Sequence, residues 1–210
     1  MLVYRTTSLY FAPVGVDVEA IIVPITEDLL PKIVPGWWQD SGLISAFVPK
    51  PIDLDWQWGD VEVEIDGRLF TAQKIAIVTG DGEVQGAAMV TTEPVDSALE
   101  PGQGALFLER LFTAPRNRPN LRVDGRPYFL GVGAELLTWA VEMSKLLGYS
   151  GRLRLDGSPD AIDWYKKRGL KSLDMDSMLF EGTEFTPMEL PAIAAAMLLN
   201  VPHKTQRRKR

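Results

Sequence analysis

No cysteine occurs anywhere in the 210 residues. That excludes a disulfide framework, a thiolate nucleophile and a cysteine metal site, and it fits a cytoplasmic protein. Histidine is nearly absent too. The one copy, His203, stands just before the C-terminal tail, so the body holds neither a Ser–His–Asp triad nor a histidine metal cluster. No apolar run approaches the roughly 18 residues that a membrane-spanning helix needs. The N-terminus has one early arginine but no clean apolar stretch ending in a small-residue cleavage site, so no secretory signal is read there. Basic surplus is also missing, since 22 Lys and Arg face 28 Asp and Glu. Five of those basic residues (Lys204, Arg207, Arg208, Lys209 and Arg210) crowd the last seven positions. Without them 17 remain against 28, and the body carries a formal charge near -11. Such a body disfavours nucleic acid as a main ligand, the basic tail excepted, and suits a cationic substrate such as an amine.

What is present is an ordinary globular composition, 46% hydrophobic and 24% charged, with 15 prolines and 18 glycines. One core can form in a chain of this length. Residues 17–26 are rich in β-branched residues and predict a strand. Thr26 with its following acids signals a helix start, which Pro31 and Pro35 cut short. "PGWWQDSG" reads as a loop. Trp37, Trp38, Trp56 and Trp58 read as packing residues, and Val61, Val63 and Ile65 alternate as in a strand. Two β-runs flank Thr79–Gly82, a hairpin signal. Residues 104–115 predict a strand ended by Pro115, followed by a polar loop with Arg116, Arg118, Arg122 and Arg126. After Gly131 and Gly133 the apolar residues 132, 136, 137, 140, 141, 143 and 147 have helical spacing, and Gly148 ends that helix. A strand is expected at 151–157. A short helix should follow, with Ser158 as cap and Gly169 at its end, then a closing strand over 171–182. Thr186 and Glu189 make a capping-box pattern that predicts a helix over 187–199. The expected architecture is one α+β domain over 1–182, a helix within 183–203 and a basic tail over 204–210.

Three stretches carry chemistry. Gly131-Val132-Gly133 stands at a helix entry, where glycines permit close backbone approach and first-turn amides lack intrahelical partners. The positive helix end there favours an anion such as a pyrophosphate. No third glycine falls at Leu136, which disfavours a dinucleotide-binding fingerprint, and no Gly-Lys-Ser/Thr phosphate loop occurs. "DWYKKRGL" offers a phenol, Tyr165, near a helix end. Glu109 in "FLERLFT" shares a strand face with Phe107 and Leu111 if alternation is strict.

In this order the three stretches resemble the GCN5-related N-acetyltransferases (GNAT), over roughly residues 74–180, within an acyl-CoA-binding core expected over 74–182. "LFTAP" running into "GVGAELL" is similar to the family's fourth strand and its acyl-CoA signature, Arg/Gln-x-x-Gly-x-Gly/Ala. Tyr128 stands at the Arg/Gln position. The resemblance implies a mixed, mostly antiparallel sheet flanked by helices. It also implies acetyl-CoA, or another acyl-CoA, as co-substrate. Tyr128, Phe129, Leu130, Gly131, Val132, Gly133 and Ala134 would form its phosphate turn. Arg126 or another loop arginine would meet a phosphate, and the sequence does not choose among them. The backbone of Leu111, Phe112 and Thr113 would bond the pantetheine arm, as an added strand would. Ser158 stands where the family often has an asparagine on that arm. Tyr165 would protonate the leaving thiolate and Glu109 would take a proton from an amine acceptor. Residues 1–73 would wall the acceptor side.

The implied activity is acyl transfer to a small-molecule or peptide amine, by direct attack in a ternary complex. A non-catalytic acyl-CoA sensor or assembly protein is the alternative, and polyanion binding by the tail is a third reading. A homodimer through the final helix is compatible with the sequence.

Overall fold

The computed structural model of the chain describes residues 2–33, 36–37, 58, 62–65, 67–122 and 125–200. His203, the basic tail, Trp38, Trp56 and Val61 fall outside them. The sheet is mixed and mostly antiparallel, with helices and a C-terminal helix, as the resemblance implies. The chain divides into two compact units, residues 1–89 with 110–136, and residues 90–109 with 137–210.

The first unit holds β1 (Arg5–Phe11), β2 (Val16–Pro24), β3 (Glu62–Ile65), β4 (Arg68–Thr79) and most of β5 (Val84–Thr91). It also holds the end of β7 (Gly104–Thr113), the two-residue β8 (Phe129–Leu130) and the first turn of α1 (Val132–Leu146). Its strand order is β8-β1-β2-β4-β5, with β3 on β4. The β1–β2 ladder runs from Arg5↔Ile22 to Phe11↔Val16, antiparallel. Gly15 closes it at φ +79°, a left-handed conformation that glycine adopts freely. The Thr79–Gly82 connector makes the expected hairpin, with the Thr79 N–H donating to Glu83 O at 3.1 Å and the Gly82 N–H to Thr79 O at 2.8 Å. Trp37 and Trp58 lie in the buried cluster with Ile33, Val63, Ala76, Val84 and Met89, so both are core residues. The Trp37 indole donates to Val84 O at 3.0 Å, which gives this buried polar edge its partner. The helix start read at Thr26 becomes a turn and a short 3-10 segment, Leu30–Lys32.

The second unit holds β6 (Val95–Asp96), most of β7, the remainder of α1 and β9 (Leu153–Gly157). It then holds α2 (Ile162–Lys166), β10 (Lys171–Ser172), β11 (Met178–Phe180), β12 (Thr183–Leu190) and α3 (Ala192–Asn200). Its strand order is β10-β12-β9-β7, with β11 on β12 and β6 on β7. Within it β7 and β9 are parallel and the other pairings are antiparallel.

Two expectations fail here. The closing strand over 171–182 is two short strands, β10 and β11. The helix over 187–199 starts later, at Ala192, because 183–190 is strand β12, paired from Thr186↔Gly157 to Leu190↔Leu153. A boundary after 182 therefore falls inside the β11–β12 hairpin. Glu189 does not cap a helix. It is fully buried and accepts hydrogen bonds from the Ser97 hydroxyl and, at 2.7 Å, from the Ala98 N–H. A buried carboxylate so bonded ties β12 to the turn after β6, and this distant partner outweighs the local capping signal. The true start of α3 is held by Glu100, which accepts from the Ala192 N–H at 3.1 Å and pairs with Arg152.

Among the described residues no helix is long and apolar enough to cross a membrane.

Candidate functional site

The residues expected to touch a cofactor fall mostly in the first unit, and the two expected to move protons fall in the second.

In the first unit the entry to α1 is built as its glycines suggest. Gly131 has φ +91°, and its carbonyl accepts the first helical bond, from the Glu135 N–H at 2.9 Å. The amides of Val132, Gly133 and Ala134 precede that bond, so the helix leaves them for other acceptors. Gly131 is exposed, Gly133 and Ala134 are half-buried, and a side chain at Gly131 would meet nothing within 4 Å. The turn therefore faces open space on one side.

Two braces hold it, and neither was read from the sequence. The first is a buried polar network. The Asn117 amide donates at 3.1 Å to both Gln85 O and Gln85 Oε1, and its own oxygen accepts from the Phe129 N–H at 3.0 Å. Gln85, 1% exposed, donates in turn to Thr79 Oγ1 at 2.9 Å. The 3-10 segments Pro115–Asn117 and Pro119–Leu121 shape this part of the expected loop. The second brace comes from β1. Glu135, 3% exposed in the first turn of α1, accepts from the Arg5 guanidinium and from Thr7 Oγ1 at 2.8 Å. A carboxylate at the α1 entry would repel an anion placed there, and the Arg5 charge offsets it.

β5 packs against the same turn. A methyl at Gly86 would lie 2.7 Å from Val132 Cγ1 and 2.9 Å from Phe112 O, so only glycine lets the helix approach so closely. Two signals in "VQGAAMV" could have pointed to this spot: a glutamine in an otherwise apolar buried strand, and a glycine inside it.

The loop arginines have structural work. Arg118 Nε donates to Thr113 O at 2.7 Å, and its guanidinium lies over the Phe112 ring at 5.2 Å. Arg116 Nε donates to Gln85 Oε1 at 3.2 Å, and its guanidinium meets Glu83 at 3.4 Å. Arg122 donates to Arg126 O at 3.0 Å and lies 4.2 Å over the Tyr128 ring, a cation–π contact. Tyr128 packs edge-on against Phe11, with ring centroids 6.2 Å apart, and Phe129 packs against Phe11 at 5.1 Å. Phe129 and Leu130 are fixed further by β8, which pairs with Phe11 and Tyr10. Arg126 is exposed, and Leu111, Phe112 and Thr113 are half-buried at the end of β7.

Along β7 the alternation slips. Leu106 donates to Arg152 O beside β9, at 3.1 Å, so the Phe107 N–H points the other way and meets Thr91 Oγ1 at 3.1 Å. Strict alternation would aim the Ala114 N–H toward the β9 side. It donates instead to Gln85 O at 2.9 Å. One extra residue is therefore absorbed between Phe107 and Ala114, which is what a β-bulge does.

In the second unit β7 and β9 are in register at Leu106↔Leu153 and Phe107↔Arg154, the first residues of β9. Both strands run on past this pair, and Glu109, half-buried, comes two residues after it. Tyr165 lies over the far end of β9, where its ring carbon Cδ2 would be 3.6 Å from a side chain at Gly157. Its ring is buried, and among the described residues no hydrogen bond ties its hydroxyl. Burial pushes its phenol well above the ordinary range, and nearby Asp160 adds to that, whereas Arg168 acts in the opposite sense. The group is thus a neutral donor at physiological pH. Ser158 is not the helix cap. α2 begins at Ile162 after a turn in which the Ala161 N–H donates to Ser158 O at 2.9 Å, and the Ser158 hydroxyl bonds Asp160 at 2.7 Å. Gly169, at φ +93°, follows α2 as expected.

No protein-family model matches the sequence, and a comparison with curated proteins finds no match. Solved structures do match. A spermidine N-acetyltransferase, the SpeG K23-Q34 chimera from Vibrio cholerae and hSSAT, is 10% identical, with 87% of this chain and 99% of that one covered and a TM-score of 0.51. TofI in an apo form is also 10% identical, with 88% and 98% covered and a TM-score of 0.52. At such identities the likeness concerns the fold, and the fold is that of the GNAT structures.

Proposed function

We propose that the protein is an acyl-CoA-dependent N-acyltransferase that passes an acetyl or other short acyl group to an amine. One observation carries the reading. The α1 entry has a left-handed Gly131, first-turn amides that precede the first helical bond, and braces from Asn117 on one side and from Arg5 and Thr7 on the other. So much fixed structure around a turn that faces open space fits an anion site. Gly131, Val132, Gly133 and Ala134 would hold the pyrophosphate. The guanidinium of Arg122, laid on Tyr128, supplies positive charge where the family has Arg or Gln. Arg126 stays a candidate for the ribose phosphate. The backbone of Leu111, Phe112 and Thr113 would hold the pantetheine arm, a backbone amide there polarising the thioester carbonyl.

The step balances as follows. The amine enters as an ammonium and gives one proton to Glu109 or to water. Its lone pair forms the C–N bond, and collapse of the adduct breaks C–S with the electron pair on sulfur. Tyr165 gives its hydroxyl proton to that sulfur, and the second amine proton returns to the phenolate through water. The products are an amide, the free thiol and one proton released to solvent. The acidic body favours a cationic acceptor by steering. SpeG is named for spermidine, a polycation, which makes polyamines sensible members of a first panel.

The test is thiol release from acetyl-CoA over an amine panel, with Tyr165→Phe and Glu109→Gln alongside and CoA-dependent thermal shift as the binding control. Turnover that falls about a hundredfold in Tyr165→Phe, with KM little changed, supports the assigned acid. No thermal shift with CoA overturns the reading.

A non-catalytic acyl-CoA sensor is the second reading. It is favoured by Thr113 O and the Ser158 hydroxyl, two expected pantetheine partners that already have internal ones, Arg118 and Asp160. A CoA shift without turnover on a broad panel would select it.

A further inference from the structure

The strongest unexplained group lies one helical turn beyond Tyr165. Arg168 Nε is buried and has no hydrogen-bond partner, and among the described residues the guanidinium has no carboxylate partner. Enclosing even part of a guanidinium without a counter-charge carries a cost, and here one edge of a half-buried guanidinium is enclosed. Its surroundings fix it firmly. Nη1 donates to Trp164 O at 3.0 Å, and the guanidinium carbon lies 3.6 Å over the Trp164 ring. Trp164 in turn meets the Tyr165 ring edge-on at 5.0 Å and 84°. The Arg168 N–H donates to Tyr165 O at 2.9 Å, which locks the turn that joins the two side chains. This guanidinium is half-buried with its Nε closed off from solvent, and it lies on the Trp164 ring that meets Tyr165.

We propose that Arg168 is a positioning residue for acyl transfer, whose guanidinium stabilises the phenolate formed when Tyr165 gives its proton to the departing thiolate. The role rests on the acyltransferase reading above. It answers a difficulty in that reading, since a phenol whose ring is buried gives up its proton reluctantly. Burial raises Tyr165 and the Asp160 carboxylate raises it further, whereas Arg168 is the nearby charge that lowers it. Burial also draws Arg168 itself down to about 10, which still leaves it charged at neutral pH. No bond to Arg168 forms or breaks, and the proton passes from the Tyr165 oxygen to sulfur.

The experiment is a double-mutant cycle on the full chain. Arg168→Gln removes the charge and Arg168→Lys keeps it. Both are made in the wild-type and Tyr165→Phe backgrounds, with kcat, KM, CoA dissociation constant and melting temperature measured for each. The expected result is a fall in kcat of about tenfold or more for Arg168→Gln with KM and CoA affinity held, recovery of most of it by Arg168→Lys, and less than about a twofold effect of Arg168→Gln when Tyr165 is already Phe. If Arg168→Gln fails to fold, Arg168→Lys against Arg168→Met at matched melting temperature carries the same comparison. Equal losses in both backgrounds, or a loss that follows melting temperature alone, overturn the proposal. Absence of turnover by the wild type on every amine overturns the acyltransferase reading and this role with it, so the two failures are told apart.

Discussion

Replacing Gly86 by alanine should weaken the fold and the proposed phosphate turn together. The added methyl would sit 2.7 Å from Val132 Cγ1, 2.9 Å from Phe112 O and 3.0 Å from Leu136 Cδ1. Carbon atoms in contact prefer about 3.5–4.0 Å, so the overlap with Val132 is near 1 Å. Leu136 can yield by a rotamer change. Val132 cannot easily, because a β-branched residue in a helix has one strongly preferred χ1. Phe112 O is backbone, in the stretch where β7 slips its alternation. Relief must therefore come from moving the first turn of α1 away from β5. Overpacking of this kind costs about 3 kcal/mol at the upper end. The smaller entropy of the unfolded alanine chain returns about 1. The net loss of about 2 kcal/mol should lower the melting temperature by about 4–8 °C for a chain of this size. Gly80→Ala is the control, since a methyl there meets nothing within 4 Å. Its stability should stay within about 0.5 kcal/mol of wild type. Urea unfolding gives the stability difference, and calorimetric titration with CoA reads the turn. If Gly86→Ala matches Gly80→Ala in stability and wild type in CoA affinity, close packing of α1 on β5 does not set the turn.

Asn117→Ala removes three hydrogen bonds of a buried amide, leaves the Phe129 N–H without its partner and leaves Gln85 O with the Ala114 N–H alone. It should cost about 2–3 kcal/mol in urea unfolding and weaken CoA in titration, whereas a loss under about 0.5 kcal/mol would mean that the network is dispensable. Glu100 governs part of the acid stability. The hydrogen bond from Arg152 holds its carboxyl below the usual glutamate value of 4.5, against the opposing effect of burial. A folded pKa below the unfolded one contributes stability that is fully present above the unfolded value and is lost as pH falls through the folded one. The melting temperature of wild type should thus drop more steeply than that of Glu100→Gln between about pH 5 and pH 3, and parallel curves would refute the assignment.

The middle of the chain was legible because its signals are local. The Thr79–Gly82 turn, the spacing of α1 and the helix-ending glycines 148 and 169 each declare themselves within a few residues, and each has its counterpart in the structure. Where the sequence misled, a distant partner decided. Thr186 and Glu189 have capping-box spacing, but Glu189 is claimed by Ser97 and Ala98, some ninety positions away. The strand β1 was missed because "RTTSLYF" has no clean alternation, and its burial pattern shows none. The candidate site divides the same way. Its glycines and Tyr165 were readable from motif spacing. Its braces, Asn117 through Gln85 and Glu135 through Arg5 and Thr7, join residues whose proximity no local pattern encodes. The slip in β7 is legible only from which carbonyls its amides reach.

The pairing of β8 with β1 has a kinetic consequence. Tyr10 and Leu130 are partners across 120 positions of chain, so the segment leading into the glycine turn closes one of the longest loops in the protein. Long-range pairings of this kind tend to form late, after shorter loops have closed. During synthesis β1 emerges first and must wait for its partner. An acyl-CoA bound at the finished turn, as proposed, would then act on the last stage of folding by holding the completed state against reopening. In refolding experiments added CoA should leave the early phases unchanged and slow unfolding. The first ten residues of the chain thereby become part of the timing of a site formed more than a hundred residues later.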